Sequence, residues 1–313
     1  MSESAETQSP SPSPGACVAT LVAPVATPAS LASAAERVAG ALDEAGATTG
    51  ASDWLSRDRA VDVPFAELDA ASAEAAAREA LAGAPVDLAV QPAAGRRKLL
   101  LVADMESTII EQEMLDELAD ILKLGEGIAD ITRRAMAGEL DFEQALAERV
   151  AMLRDLPASA LDEAAERMTF TPGARTLVAT MSAHGAYCAL VSGGFTHFTA
   201  VVKQAGGFHA DVANTLKLDR GRILGEVERP ILGREAKLQT LQRLTARRAL
   251  TLCQTAAVGD GANDLDMLQA AGLGVACRGK PKVRETAPFR IDHADLTALL
   301  YFQGYRDEEI AEV

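Results

Sequence analysis

Residues 98–120 read KLLLVADMESTIIEQEMLDELAD, and the fold turns on this stretch. The apolar run Leu99, Leu100, Leu101, Val102 holds no turn residue, which predicts a buried parallel strand. It stops at an acidic, hydroxyl-rich turn, so Asp104, Glu106, Ser107 and Thr108 fall at a strand's carboxyl end. Open α/β sheets bind ligands there, and a carboxylate in that position is placed for chemistry. A strand that merely ends in a turn of Asp and Ser would read the same over these few residues.

Downstream of Asp104 the pattern is helical to about Met168. Met114, Leu115, Leu118 and Ile121 recur at helical spacing, a second run spans Ile128–Ala137, and a third spans Phe142–Leu153. An all-helical insertion directly after a strand predicts a cap, at about 111–170, able to exclude water and select substrate. The α/β alternation resumes at Pro172. PGARTLVATMSAHG predicts a helix begun by Pro172 and stopped by Gly185, and YCALVSGG predicts another buried strand. FTHFTAVVKQAG is a further helix, and residues 208–228 suit an antiparallel excursion turning near Asp219–Gly221. Ala236–Leu244 is helical, Thr255–Val258 is a strand entering GDGANDLDML, and Gly274–Ala276 is the last recognisable strand before PKVRETA. At least four strands alternating with helices define an α/β, doubly wound, Rossmann-like parallel sheet.

Upstream, residues 1–15 alternate Ser and Pro among acids, which predicts a disordered tail. Residues 16–94 read strand (Cys17–Val22), helix (Leu31–Ala45), strand (Ala51–Leu55, extending toward Val63), helix (Ala71–Leu81), strand (Val86–Val90). That order suits half of a ferredoxin-like α+β module, of ACT-like type, and carries no evident chemistry. GRRK at 95–98 interrupts both flanking patterns and reads as a linker. The core is expected over 95–300 and a C-terminal tail over 301–313.

A net charge of -15 and a pI near 4.8 argue against nucleic acid or an anionic membrane as partner. A small anionic substrate remains compatible, because a metal and a few cations can reverse the field in one pocket. Cys17, Cys188, Cys253 and Cys277 are scattered without metal-site spacing, which fits reduced thiols in a cytoplasmic protein. The N-terminus lacks the basic start and apolar core of a signal peptide, and Pro24 and Pro28 interrupt the apolar run after Cys17.

Three strand ends converge in function. The first delivers Asp104 and Glu106, the second Ser192-Gly193-Gly194, and a later one Gly259-Asp260-Gly261 with Asn263 and Asp264. Acids recurring at the ends of parallel strands suit a hard cation such as Mg²⁺, and a Ser-Gly-Gly turn at a helix start can cradle a phosphate. Lys237 could neutralise the remaining charge.

DMEST (104–108), SGG (192–194), Lys237 and GDGAND (259–264) stand in the order that resembles the haloacid-dehalogenase (HAD) superfamily of phosphotransferases. Glu113, nine residues after Asp104, and MAGELDFEQALAERVAMLRDLP (136–157) narrow the resemblance to phosphoserine phosphatases, over about 98–300. The resemblance implies Mg²⁺-dependent hydrolysis of O-phosphoserine, the last step of serine biosynthesis, with Asp104 as nucleophile and Glu106 as general acid and base. It implies a metal held by Asp104, Asp260 and the Glu106 backbone carbonyl, with Asp264 orienting metal-bound water. Ser192, Gly193, Lys237 and Asn263 would hold the phosphoryl oxygens. Glu113 would take the substrate ammonium and Arg149 its carboxylate, while Met136 and Phe142 close over it. The alternatives are helix caps for Asn263 and Asp264, solvated helix surface for Glu113 and Arg149, and plain core for Met136 and Phe142. The resemblance leaves a homodimer open, as it does transfer to an acceptor such as homoserine or an amino-acid-sensing regulatory role. One departure stands out: the family pattern has Asp where this chain has Glu106, one methylene longer.

Overall fold

The structure, a computed structural model, describes residues 16–24, 31–136 and 139–313, with the Met136 side chain left out. The expected tail over 1–15 lies outside the described residues. The chain divides into two compact units, Met1–Arg96 and Arg97–Val313, and the division falls within GRRK.

In the first unit, strands β1 (Cys17–Val22), β2 (Thr48–Thr49), β3 (Asp53–Ser56), β4 (Ala60–Ala66) and β5 (Asp87–Pro92) form one antiparallel sheet. β1 lies between β4 and β5, and β2 and β3 both pair with β4. This is a whole ferredoxin-like βαββαβ arrangement, not half of one. The segment expected as one strand from Ala51 toward Val63 is two antiparallel strands, because the polar turn Arg57-Asp58-Arg59 reverses the chain between them. Helices Leu31–Glu44 and Ala70–Ala80 cover one face, burying Leu31, Val38, Leu42, Ala73 and Ala77 against Leu21, Val63, Phe65 and Leu88. Asp69 caps the second helix by accepting from the Ala71 and Ser72 amides at 3.1 and 3.0 Å.

In the second unit, β6 (Leu100–Ala103), β7 (Tyr187–Phe195), β8 (Ala210–Asn214), β11 (Thr255–Gly259), β12 (Leu273–Cys277) and β13 (Phe289–Ile291) form a sheet in the order β13-β12-β11-β6-β7-β8, parallel throughout. β9 (Leu216–Asp219) and β10 (Arg222–Val227) form a separate hairpin. The main sheet reverses its winding between β6 and β11, which makes their carboxyl ends the crevice where such sheets bind ligands. The expected start at Leu99 shifts by one residue, since Leu99 is exposed while Leu100 to Ala103 are buried. The first part of 208–228 is not antiparallel: β8 joins the main sheet beside β7, and only β9 and β10 form the hairpin.

Helices Met114–Leu122, Gly125–Met136, Phe142–Ala151 and Ser159–Glu166 make the insertion between β6 and β7. The hairpin supports it from outside the sheet, through the Asp155 amide on Ile223 O and the Ala158 amide on Gly221 O, both at 2.8 Å. Residues 301–313 are not a loose tail. Tyr301, Phe302 and Tyr305 are buried, and the Ala311 amide donates to Thr180 Oγ1 at 2.9 Å. No helix of the described residues is long and apolar enough to cross a membrane.

Candidate active site

The site is built on β6 and β11, neighbours in the parallel sheet. The Asp104 amide donates to Val258 O at 2.9 Å, so the ladder holds Asp104 at the strand's end. Beyond it the chain makes one irregular turn, with Glu106 extended and Ser107 left-handed at φ +55°. That turn closes through the Ile110 amide on Met105 O, and it directs the Glu106 carboxyl toward the insertion. There Glu106 Oε1 accepts from the Met114 amide at 3.0 Å, at the first residue of a helix, where an amide has no partner within the helix. Ser107 Oγ donates to Glu113 Oε1 at 2.8 Å, a second tie to the same helix start.

Beneath the crevice lies a buried ionic cluster. Lys237, from helix Arg234–Arg247, places Nζ 2.7 Å from Asp104 Oδ1 and 2.6 Å from Asp264 Oδ1. Asp264 Oδ2 accepts from the Gly261 amide at 3.0 Å, so both of its oxygens are engaged. A Cβ at Gly259 would lie 2.4 Å from Asp264 Cγ, which explains the glycine before Asp260. Burial works against the Lys237 charge, but Asp104 and Asp264 outweigh it and keep the ammonium protonated. Burial also pushes the Asp104 carboxyl well up, helped by the charge of Asp264 and opposed by Lys237. Asp260 is raised for the same first reason, with Lys280 at 3.2 Å opposing it.

Asp104, Asp260 and Asp264 bring one carboxylate oxygen each within 4.8 Å of one another. Three buried acids at this spacing repel, and the hard oxygen donors they present are those a divalent cation of the Mg²⁺ or Ca²⁺ kind takes. Asp104 and Asp260 are suited to direct contact, because Asp264 is committed to Lys237 and Gly261. The residues therefore fit the expected metal.

Above the cluster is a cavity of about 410 Å³ lined by core and insertion together. Asp104, Glu106, Gly193, Asp260 and Asn263 contribute from the core, and Glu113, Phe142 and Arg149 from the insertion. Most of the expected site residues thus meet around one space. Ser192, Lys237 and Asp264 lie under its floor, 1%, 2% and 0% exposed. The Met136 side chain lies outside what is described.

Burial raises the Glu106 carboxyl to about 7, with the Glu113 charge adding and the Met114 amide opposing. Ser192 Oγ accepts from the Gly194 amide at 2.9 Å and retains its proton to donate. Asn214 braces this turn, donating to Gly193 O at 2.8 Å and accepting from the Leu232 amide at 2.7 Å. The Phe142 ring rests on two core glycines: a Cβ at Gly193 or Gly233 would lie 3.3 Å from it. Arg149 donates to Thr132 Oγ1 at 2.9 Å, while its Nε is buried with no hydrogen-bond partner among the described residues.

Sequence reasoning missed Lys280, which lines the cavity beside Asp260, and the bracing Asn214. Lys280 had a faint signal, a lysine just before a helix-starting Pro after a strand. Asn214 had none, because its work depends on a loop 18 residues away.

Residues 101–269 match the family model of haloacid dehalogenase-like hydrolases. A phosphoserine phosphatase of Streptomyces coelicolor is 43% identical over 227 residues, 72% of this chain and 55% of that protein. This chain therefore spans little more than half the length of that relative. A phosphoserine phosphatase of Streptococcus thermophilus is 42% identical over 199 residues, 64% of this chain and 93% of that protein. The crystal structure of a probable phosphoserine phosphatase from Vibrio cholerae superposes with a TM-score of 0.76 at 30% identity, covering 94% of this chain and 88% of that one.

Proposed function

This chain belongs to the haloacid dehalogenase-like hydrolases, and we propose that within that family it hydrolyses O-phosphoserine to serine and phosphate with Mg²⁺. The observation that carries the reading is one cavity joining two kinds of group. Its floor holds a buried acid cluster suited to phosphoryl transfer, and its wall holds Glu113 and Arg149, suited to an ammonium and a carboxylate. The similarity to phosphoserine phosphatases supports the same substrate.

In this reading Asp104 attacks phosphorus, the bond from phosphorus to the serine oxygen breaks, and the phosphoryl group passes to the Asp104 carboxylate. Glu106, poised near neutrality, gives its proton to the departing serine oxygen. The same carboxylate then takes a proton from water as that water attacks the aspartyl-phosphate, releasing phosphate and restoring Asp104. When bound, Mg²⁺ supplies positive charge for the phosphoryl oxygens. Lys237 keeps Asp104 and Asp264 in register, and the Gly193 turn, Ser192 and Asn263 offer donors to the phosphoryl oxygens. The four cysteines, none in a disulfide among the described residues, support action in the cytoplasm.

The test is phosphate release from O-phosphoserine and from phosphoethanolamine, which lacks only the carboxylate, with Mg²⁺ and with chelator. Mg²⁺-dependent release that strongly favours O-phosphoserine is expected. Equal rates on both compounds would remove the case for an amino-acid substrate. An added acceptor such as homoserine should not divert the phosphoryl group; its appearance on that alcohol would make the chain a phosphotransferase.

A further inference from the structure

Arg149 reaches the cavity from helix Phe142–Ala151, and its guanidinium is held on one side only. Nη2 donates to Thr132 Oγ1 at 2.9 Å, and Nε is buried without a partner among the described residues. A guanidinium fixed in this way loses little freedom when it binds, which favours a two-pronged contact with an anion. An arginine that lines the cavity while one of its nitrogens is anchored from outside it is arranged to receive a carboxylate.

The anchor is itself fixed. Thr132, on helix Gly125–Met136, donates its hydroxyl proton to Ile128 O at 3.0 Å. With its proton committed to its own helix, Oγ1 has only lone pairs to offer Arg149. The hydroxyl thus sets where the guanidinium stands without entering the cavity lining, from which Thr132 is absent. A second cross-tie joins the same two helices: Arg134 pairs with Glu148 at 2.6 Å. Thr132 is therefore not the only tie between these helices.

We infer that Thr132 is a positioning residue for substrate selection, orienting Arg149 to receive the carboxylate of the phosphorylated amino acid. The inference rests on the O-phosphoserine reading and adds to it a residue outside the cavity. It separates recognition from chemistry, because Thr132 itself is not among the residues that line the cavity.

Thr132→Val, which keeps the shape and removes the hydroxyl, tests it alongside Thr132→Ser, which keeps the hydroxyl. Steady-state kinetics on O-phosphoserine and phosphoethanolamine are measured for both variants and the parent chain, with Mg²⁺. The valine variant should raise KM for O-phosphoserine about tenfold, the loss of one charge-assisted hydrogen bond, with kcat held and phosphoethanolamine unaffected. The serine variant should return KM close to the parent value. Equal losses on the two substrates, or a serine variant as impaired as the valine one, would show that Thr132 only supports the helix and overturn the inference. A parent chain that does not hydrolyse O-phosphoserine overturns the substrate reading itself, and the role given to Thr132 falls with it.

Discussion

Glu106 Oε1 accepts a hydrogen bond from the Met114 backbone amide at 3.0 Å, which ties the turn after β6 to the first residue of the insertion. The Glu106 side chain reaches that amide while still lining the cavity. The acid group and the cap are thereby mechanically joined.

Glu106→Gln should fold and bind but lose proton transfer, lowering kcat by about 10²- to 10⁴-fold. Glu106→Asp should keep the acid and lose the Met114 bond, with a drop on the order of 10²-fold for a displacement of about 1 Å. Steady-state rates on O-phosphoserine decide; an aspartate variant as slow as the glutamine one would mean that position, not acidity, is what the residue supplies.

A side chain at Gly194 should displace the Glu106 carboxyl, because a Cβ there would lie 2.9 Å from Glu106 Oε2 and 3.1 Å from Oε1 and from Ser192 Oγ. Gly194→Ala is expected to cut kcat about tenfold or more by moving the acid, and to cost about 1–3 kcal/mol of stability through overpacking. Combining it with Glu106→Asp should make the two losses non-additive, since the shorter acid withdraws from the added methyl. Rates and thermal midpoints of the single and double variants measure the coupling, and simple additivity would separate the two positions.

The pH dependence has a definite sign. Glu106 is raised from an ordinary value of 4.5 to about 7, so the folded protein favours its protonated form. Its stabilising contribution is full below about 4.5 and is lost as pH rises through about 7. In chelator, the thermal midpoint of the parent chain should fall over that window more than that of Glu106→Gln. Asp104 and Asp260 titrate in both proteins, so the difference between the curves reports Glu106. Parallel curves would contradict a raised acid at this position.

Asp260→Asn should leave the fold intact and raise the Mg²⁺ concentration needed for half-maximal activity about tenfold or more. Calorimetric titration of the metal-free protein with Mg²⁺ checks it independently of turnover. Unchanged binding would move the cation elsewhere.

The parallel sheet was legible because buried strands leave short apolar runs bounded by turns, and Asp104, Ser192 and Asp260 stand where those runs end. β13 was not, since Phe-Arg-Ile between helix and loop is too short for any period to register. Local alternation groups β8 with the following hairpin, whereas strand direction is set by the neighbour it joins. Residues 301–313 look charged enough for a tail, yet Tyr301, Phe302 and Tyr305 supply the anchoring area. The same limit applies at the site. Residue types at strand ends identified the acids, whereas the Thr132–Arg149 and Glu106–Met114 contacts depend on how helices meet.

The most direct measurement is where the phosphoryl group goes. Chain turning over O-phosphoserine with Mg²⁺ is quenched in acid, digested and mapped by mass spectrometry. The expected result is a phosphoryl group on Asp104, absent from Asp104→Asn, which should also release no phosphate. Phosphorylation at another residue, or phosphate release that survives Asp104→Asn, would contradict the assignment of Asp104 as nucleophile.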